Sequence, residues 1–141
     1  LVSAVSYEGG VVVTNVGDSR AYHITPDGIT RVTKDHSLVQ SMVERGDITA
    51  EEARRHPNRN LITRALGPDA VAQCDGYICP MAAGEFLLLC TDGMVDTVTD
   101  QEMLYEVIHG GDPDTCLGRL LDISKSQGAS DNVTAVLMQK L

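Results

Sequence analysis

The chain has 141 residues, 43% of them hydrophobic and 22% charged, with a formal net charge of −9. That length suits one domain able to bury roughly two-thirds of its surface, and the composition is that of a globular protein. With 4% aromatic residues, no Trp and an acid excess, the sequence excludes a base-stacking nucleic-acid module and lacks the basic footprint of a DNA, RNA or anionic-lipid binder.

Leu1 to Val5 and Val11 to Val16 are β-rich runs joined through Gly9-Gly10, a hairpin signal. Arg20 to Thr25 and Ile29 to Thr33 are strands linked by Pro26-Asp27-Gly28, where Asp-Gly marks a tight turn. The first 33 residues therefore read as one antiparallel meander. Ser37 can cap a helix carrying Leu38, Val39, Met42 and Val43, closed by Gly46. Thr49 and Glu52 form a capping box for a short helix Ala50–Arg55, stopped by Pro57. Residues 34–67 thus make a polar helical excursion between strands, of the kind that sits on the surface and borders a site.

Ala70 to Cys79 is a weaker strand, interrupted by Gln73 and Asp75. Phe86-Leu87-Leu88-Leu89-Cys90 runs apolar up to Thr91-Asp92-Gly93 and reads as a strand buried on both faces. Thr99 and Glu102 are a second capping box, opening a helix with the stripe Met103, Leu104, Val107 and Ile108. Asp112-Pro113 starts another, with Cys116, Leu117, Leu120 and Leu121 on one face and Gly128 at its end. A last strand runs from Val133 to Met138. Strands, a helical pair and a strand give an α+β fold with helices packed on an antiparallel sheet.

Cys74, Cys79, Cys90 and Cys116 form no C-x-x-C pair, which fits reduced cysteines and a cytoplasmic protein. No stretch has transmembrane length or a signal-peptide pattern, so no membrane segment is expected. The chain opens on Leu1 and runs straight into a strand, so it is expected to be part of a longer protein.

Three aspartates stand at the ends of apolar strands: Asp18, Asp92 and Asp131. Hard divalent cations take such oxygen ligands, and paired ions can activate a water and neutralise a phosphoryl group. Phosphate-ester hydrolysis by this route needs no nucleophilic side chain, in keeping with the absence of a G-x-S-x-G turn or a P-loop.

Val16-Gly17-Asp18-Ser19-Arg20-Ala21-Tyr22, Asp35-His36-Ser37, Ile62-Thr63-Arg64-Ala65-Leu66-Gly67, Leu88-Leu89-Cys90-Thr91-Asp92-Gly93-Met94 and Ser130-Asp131-Asn132-Val133-Thr134 stand in this order over nearly the whole chain. Together they resemble the successive motifs of the metal-dependent type 2C (PPM) serine/threonine protein phosphatases, most closely the bacterial branch, whose flap the excursion at 34–67 resembles.

The resemblance implies a β-sandwich of two antiparallel sheets flanked by helices, with a Mn²⁺ or Mg²⁺ centre of two or three ions at one end. On it, Asp92 and Asp131 match metal ligands, and Asp18 matches an aspartate that helps Asp92 hold a third ion. Asn132 would brace the Asp131 loop. Arg20 would pair with a carboxylate. Arg59 and Arg64 are flap candidates for steering a phosphorylated substrate, and His36 is expected to be a structural hydrogen-bonder. The implied partners are phosphoproteins and a cognate Ser/Thr kinase.

The family's Asp-Gly-x-Gly-Gly motif and its phosphate-binding arginine have no match here, so the chain is expected to be the C-terminal portion of the catalytic domain and inactive alone. Its uncovered sheet surface could pair two copies. The alternative function is a non-catalytic, phosphatase-like binding or regulatory module.

Overall fold

The computed structural model describes residues 1–141. The chain forms β1 (Val2–Tyr7), β2 (Gly10–Asn15), β3 (Arg20–Thr25), β4 (Gly28–Arg31), α1 (Leu38–Arg45), α2 (Ala50–Arg55), β5 (Asp75–Pro80), β6 (Phe86–Cys90), α3 (Asp92–Val95), α4 (Asp100–His109), α5 (Pro113–Ser126) and β7 (Ala135–Gln139). The strands make two antiparallel sheets, ordered β1-β2-β5 and β4-β3-β6-β7. The fold is the α+β sandwich with flanking helices that the motifs imply.

β6 shows why an uninterrupted apolar run codes for a central strand. Its side chains alternate between two cores. Leu88 and Cys90 face Met94, Met103, Val107 and Leu120 on the helical side. Leu87 and Leu89 face Val11, Val13, Cys79 and Met81 of the other sheet. β3 divides likewise, with Tyr22 and Ile24 toward the helices and Ala21 toward the sheet. The helices start where the local chemistry places them: Ser37, Thr49, Thr99 and Asp112 each accept a backbone N–H at the N-cap.

The single meander expected over the first 33 residues is not formed. The two hairpins belong to different sheets, β1-β2 to one and β3-β4 to the other. The chain crosses between them at Gly17, whose φ of +109° lies in the left-handed region that favours glycine. Hairpin signals are local, whereas the choice of sheet is made by burial of Ala21 and Tyr22 between layers. The strand expected from Ala70 begins only at Asp75, because residues 70–74 are exposed and reach no partner strand. The last strand starts at Ala135, so Asp131 sits in the loop before it rather than at its mouth.

Candidate metal centre and cleft

Asp18 follows the Gly17 crossover at the end of β2, and Asp92 opens α3 at the end of β6. β3 pairs with β6 so that Arg20 lies opposite Cys90, which puts the two sheet exits side by side. Burial pushes the Asp18 carboxyl up, and the Asp92 charge pushes it further. Asp131 arrives by a different route. Thr91 N–H donates to the Thr134 carbonyl (3.1 Å), and Thr134 N–H donates to Thr91 Oγ1 (3.0 Å). A Cβ at Gly93 would lie 2.5 Å from the Asn132 carbonyl oxygen, so glycine is what lets the 131–134 loop pack against the α3 turn. Thr91 Oγ1 also donates to the Asn132 carbonyl at 3.3 Å, and Asn132 N–H donates to Asp131 Oδ1 at 2.7 Å.

Asp96 is a carboxylate the sequence reading missed. It caps the end of α3 one turn after Asp92. Burial raises its pKa, the Arg59 guanidinium opposes that, and the charges of Asp92 and Asp131 reinforce it. The spacing of four from Asp92 was the available signal, since i and i+4 share a helix face. It was hidden because the Asp-Gly pair reads as a turn rather than as the first turn of a helix.

The chemistry of this group fits a hard divalent cation, which favours carboxylate oxygens. The count falls short: no three Asp, Glu, His or Cys side chains converge on one point. The residues of this chain can face a cation but do not enclose one.

Two ion-pair clusters support the site. Arg20 grips Asp35 through Nε–Oδ1 at 2.9 Å and Nη2–Oδ2 at 2.6 Å, and donates to the Tyr22 hydroxyl at 3.1 Å. Burial alone would lower the Arg20 pKa, but the Asp35 carboxylate outweighs it and the net shift is upward. The carboxylate partner expected for Arg20 is therefore Asp35. The buried His36 accepts the Gly17 N–H at Nδ1 (3.1 Å), which leaves its proton on Nε2, directed at Asp75 Oδ2 (2.8 Å). The backbone N–H of His36 also donates to the Gly17 carbonyl, so this histidine clamps the peptide next to Asp18. Arg64 Nη1 completes the cluster on Asp75 Oδ1 at 2.9 Å.

A cleft of about 720 Å³ runs between α3–α4 and the excursion. Asp18, Asp92, Asp96 and Asp100 line one wall, and Arg54, Arg55 and Arg59 line the other. Arg59 Nε stands 4.0 Å from Asp96 Oδ2 across the gap. Asp131 and Arg64 are not among the lining residues. Of the two excursion arginines named from sequence, the structure puts Arg59 in the cleft and ties Arg64 to the base of the excursion.

No family model matches the chain. It is 35% identical over 144 residues to the serine/threonine phosphatase stp of Listeria innocua, an alignment covering 99% of this chain and 56% of that protein. The crystal structure of the serine/threonine phosphatase Stp1 from Staphylococcus aureus superposes with a TM-score of 0.93 at 37% identity, covering 99% of this chain and 55% of that one. The catalytic domain of the serine threonine protein phosphatase PstP in complex with two manganese ions gives a TM-score of 0.81 at 31% identity, covering 96% and 56%. The chain spans about half the length of these relatives. With the motif series, the two-sheet sandwich and these likenesses in agreement, the chain belongs to the PPM family of type 2C serine/threonine protein phosphatases.

Proposed function

We propose that this chain forms the C-terminal part of a metal-dependent catalytic domain that hydrolyses phosphoserine and phosphothreonine in proteins. The observation that carries the reading is that two sheet exits bring Asp18 beside Asp92, with Asp96 one turn further along and the 131–134 loop packed against the α3 turn at Gly93. Mutual repulsion among these carboxylates is costly unless a cation relieves it. Asp92 and Asp131 would hold one Mn²⁺ or Mg²⁺ and Asp18 would help Asp92 hold a further one, in a centre of two or three ions. Such ions lower the pKa of a bound water and neutralise phosphoryl charge. His36 keeps the Gly17–Asp18 peptide fixed, and Gly93 keeps the 131–134 loop against Asp92. The manganese-bound PstP domain supports the metal assignment.

Because no three ligating groups converge, these 141 residues alone would turn over little or no substrate. The same shortfall favours the second reading, a non-catalytic phosphatase-like binding module. The substrates would be phosphoproteins made by a cognate Ser/Thr kinase, in the cytoplasm, a compartment supported by four free cysteines. No helix is long and apolar enough to cross a membrane. Val5, Val12 and Ile78 lie in one cross-strand row on the outer face of β1-β2-β5, exposed by 68%, 39% and 74%, and offer a surface for a second copy.

Calorimetric titration with Mn²⁺ tests the reading. Binding is expected in the wild type, lost in Asp92→Asn and weakened in Asp18→Asn. Absence of binding to the wild-type chain overturns the metal assignment. Brisk Mn²⁺-dependent hydrolysis of a phosphoserine peptide by the 141 residues alone would overturn the partial-site reading.

A further inference from the structure

The cleft is split by charge in a way the metal site does not require. α2 carries two glutamates and two arginines in six residues. Its glutamates point elsewhere: Glu52 closes the capping box on Thr49, and Glu51 is not a lining residue. Ala50, Ala53 and Arg54 share one helix face, and all three line the cleft together with Arg55. Arginines in a last helical turn complement the helix dipole in any orientation. The dipole does not explain why both basic residues face the cleft while both acidic ones do not.

Partners separate these arginines further. Five arginines line the cleft: Arg20, Arg31, Arg54, Arg55 and Arg59. Arg20 and Arg31 are engaged by Asp35, and Arg59 faces Asp96. Arg55 pairs with Glu51 at 3.4 Å, an ion pair about four-fifths exposed on both sides and hence weak. Arg54 has no carboxylate and no side-chain hydrogen bond. In a chain of net charge −9, an unengaged guanidinium turned into a cleft is poised for an external anion.

We propose that Arg54, assisted by Arg55, forms an anion subsite on the excursion wall. It takes an acidic side chain of the substrate, a carboxylate or a second phosphate, that flanks the phosphoresidue held at the aspartate wall. A cleft of about 720 Å³ has room for a short peptide segment as well as the phosphoryl group. The fork of a guanidinium suits carboxylate and phosphate alike. The subsite deepens the phosphoprotein reading and rests on it, and it assigns that reading a preference for acidic or multiply phosphorylated segments.

Fluorescence anisotropy of labelled peptides on the 141-residue chain tests this without requiring turnover. The probes are one phosphoserine peptide with alanine flanks, the same peptide with glutamate flanks, with a second phosphoserine, and an unphosphorylated glutamate version. At low salt, the acidic-flank peptides are expected to bind about tenfold tighter than the alanine peptide, an effect the size of one charge-assisted contact. The double variant Arg54→Glu/Arg55→Glu should erase that difference. Both side chains are exposed, so its melting midpoint should match wild type, and Arg54→Ala should give an intermediate loss. Asp92→Asn should leave the flank preference in place. Whichever acidic peptide gains identifies the anion as carboxylate or phosphate. Equal affinity for acidic and alanine flanks, or a preference that survives the double variant, overturns the subsite. Failure of Mn²⁺ to bind the wild type strikes the phosphatase reading instead, and the unphosphorylated glutamate peptide reports on Arg54 independently of it.

Discussion

α2 and α4 begin with the same device. Thr49 and Glu52 close one capping box, Thr99 and Glu102 the other, and in both the threonine hydroxyl and the glutamate carboxylate satisfy each other's backbone N–H. Beyond that the two regions diverge. α4 buries Met103 and Val107 against β3, β6 and α5, while α2 buries nothing. The excursion is anchored at its base, by the Ser37–Ile62 bridge, by Leu38 N–H on the Leu61 carbonyl and by Arg64 on Asp75, and is exposed above it. A capping box specifies where a helix starts, whereas only the apolar stripe behind it decides whether the helix belongs to the core. The walls of the cleft differ in the same way. The aspartates stand on the rigid side and the unpaired arginine on the adaptable side.

The largest test of that contrast is a core truncation. Met103 is fully buried in the helical core. Met103→Ala is expected to cost about 2–5 kcal/mol, since it removes packed atoms and leaves a cavity. Urea denaturation checks it. Ala53, the corresponding inward position of α2, faces open cleft, and Ala53→Ser should leave the midpoint unmoved. A loss below about 1 kcal/mol for Met103→Ala would mean that α4 is not bound into the core as described.

A smaller effect separates the two boxes directly. Thr99→Ala should cost about 1 kcal/mol of global stability, as the loss of an N-cap usually does. Thr49→Ala should cost less than about half of that, because a six-residue helix with no buried side chain is marginal on its own and couples weakly to the core. Its effect should instead be local. Amide exchange should quicken across Ala50–Arg55 in Thr49→Ala while the β6 amides stay protected. Equal shifts in midpoint for the two variants would show that the excursion is part of the cooperative unit.

Much of this architecture was written in local sequence. The apolar run of β6, the Asp-Gly turn before β4, both capping boxes and the Asp112-Pro113 start of α5 each carry their cause within a few residues. What sequence did not show depends on distant partners. That β2 and β3 lie in different sheets follows from Ala21 packing between layers, and no hairpin signal encodes it. Asp96 was invisible because it ends no apolar strand, and its position emerges only once Asp92 is seen to start a helix. Arg54 was passed over for a related reason: in a polar helix with two acids and two bases, only the tertiary position shows which pair faces the cleft.

Acid titration gives the finest test of the comparison. The backbone N–H of Thr49, then its hydroxyl, holds the Glu52 carboxyl below its usual range, and Thr99 does the same to Glu102 in the same order. A carboxyl whose pKa is depressed by folding binds fewer protons in the folded than in the unfolded state, so stability rises with pH. Its contribution is present above the unfolded pKa, near 4.5 for glutamate, and is lost as pH falls through the depressed folded value. The two boxes share this sign, but only α4 unfolds together with the core. Glu102→Gln should therefore flatten the acid limb of the stability–pH curve below about pH 5, where the unfolded glutamate starts to take up protons. Glu52→Gln should leave that limb unchanged, because a marginal α2 can lose its cap while the sandwich stays folded. Midpoints measured from pH 3 to pH 6 decide it. Flattening by Glu52→Gln as strong as that by Glu102→Gln would tie the excursion to the core and remove the adaptable wall from the cleft.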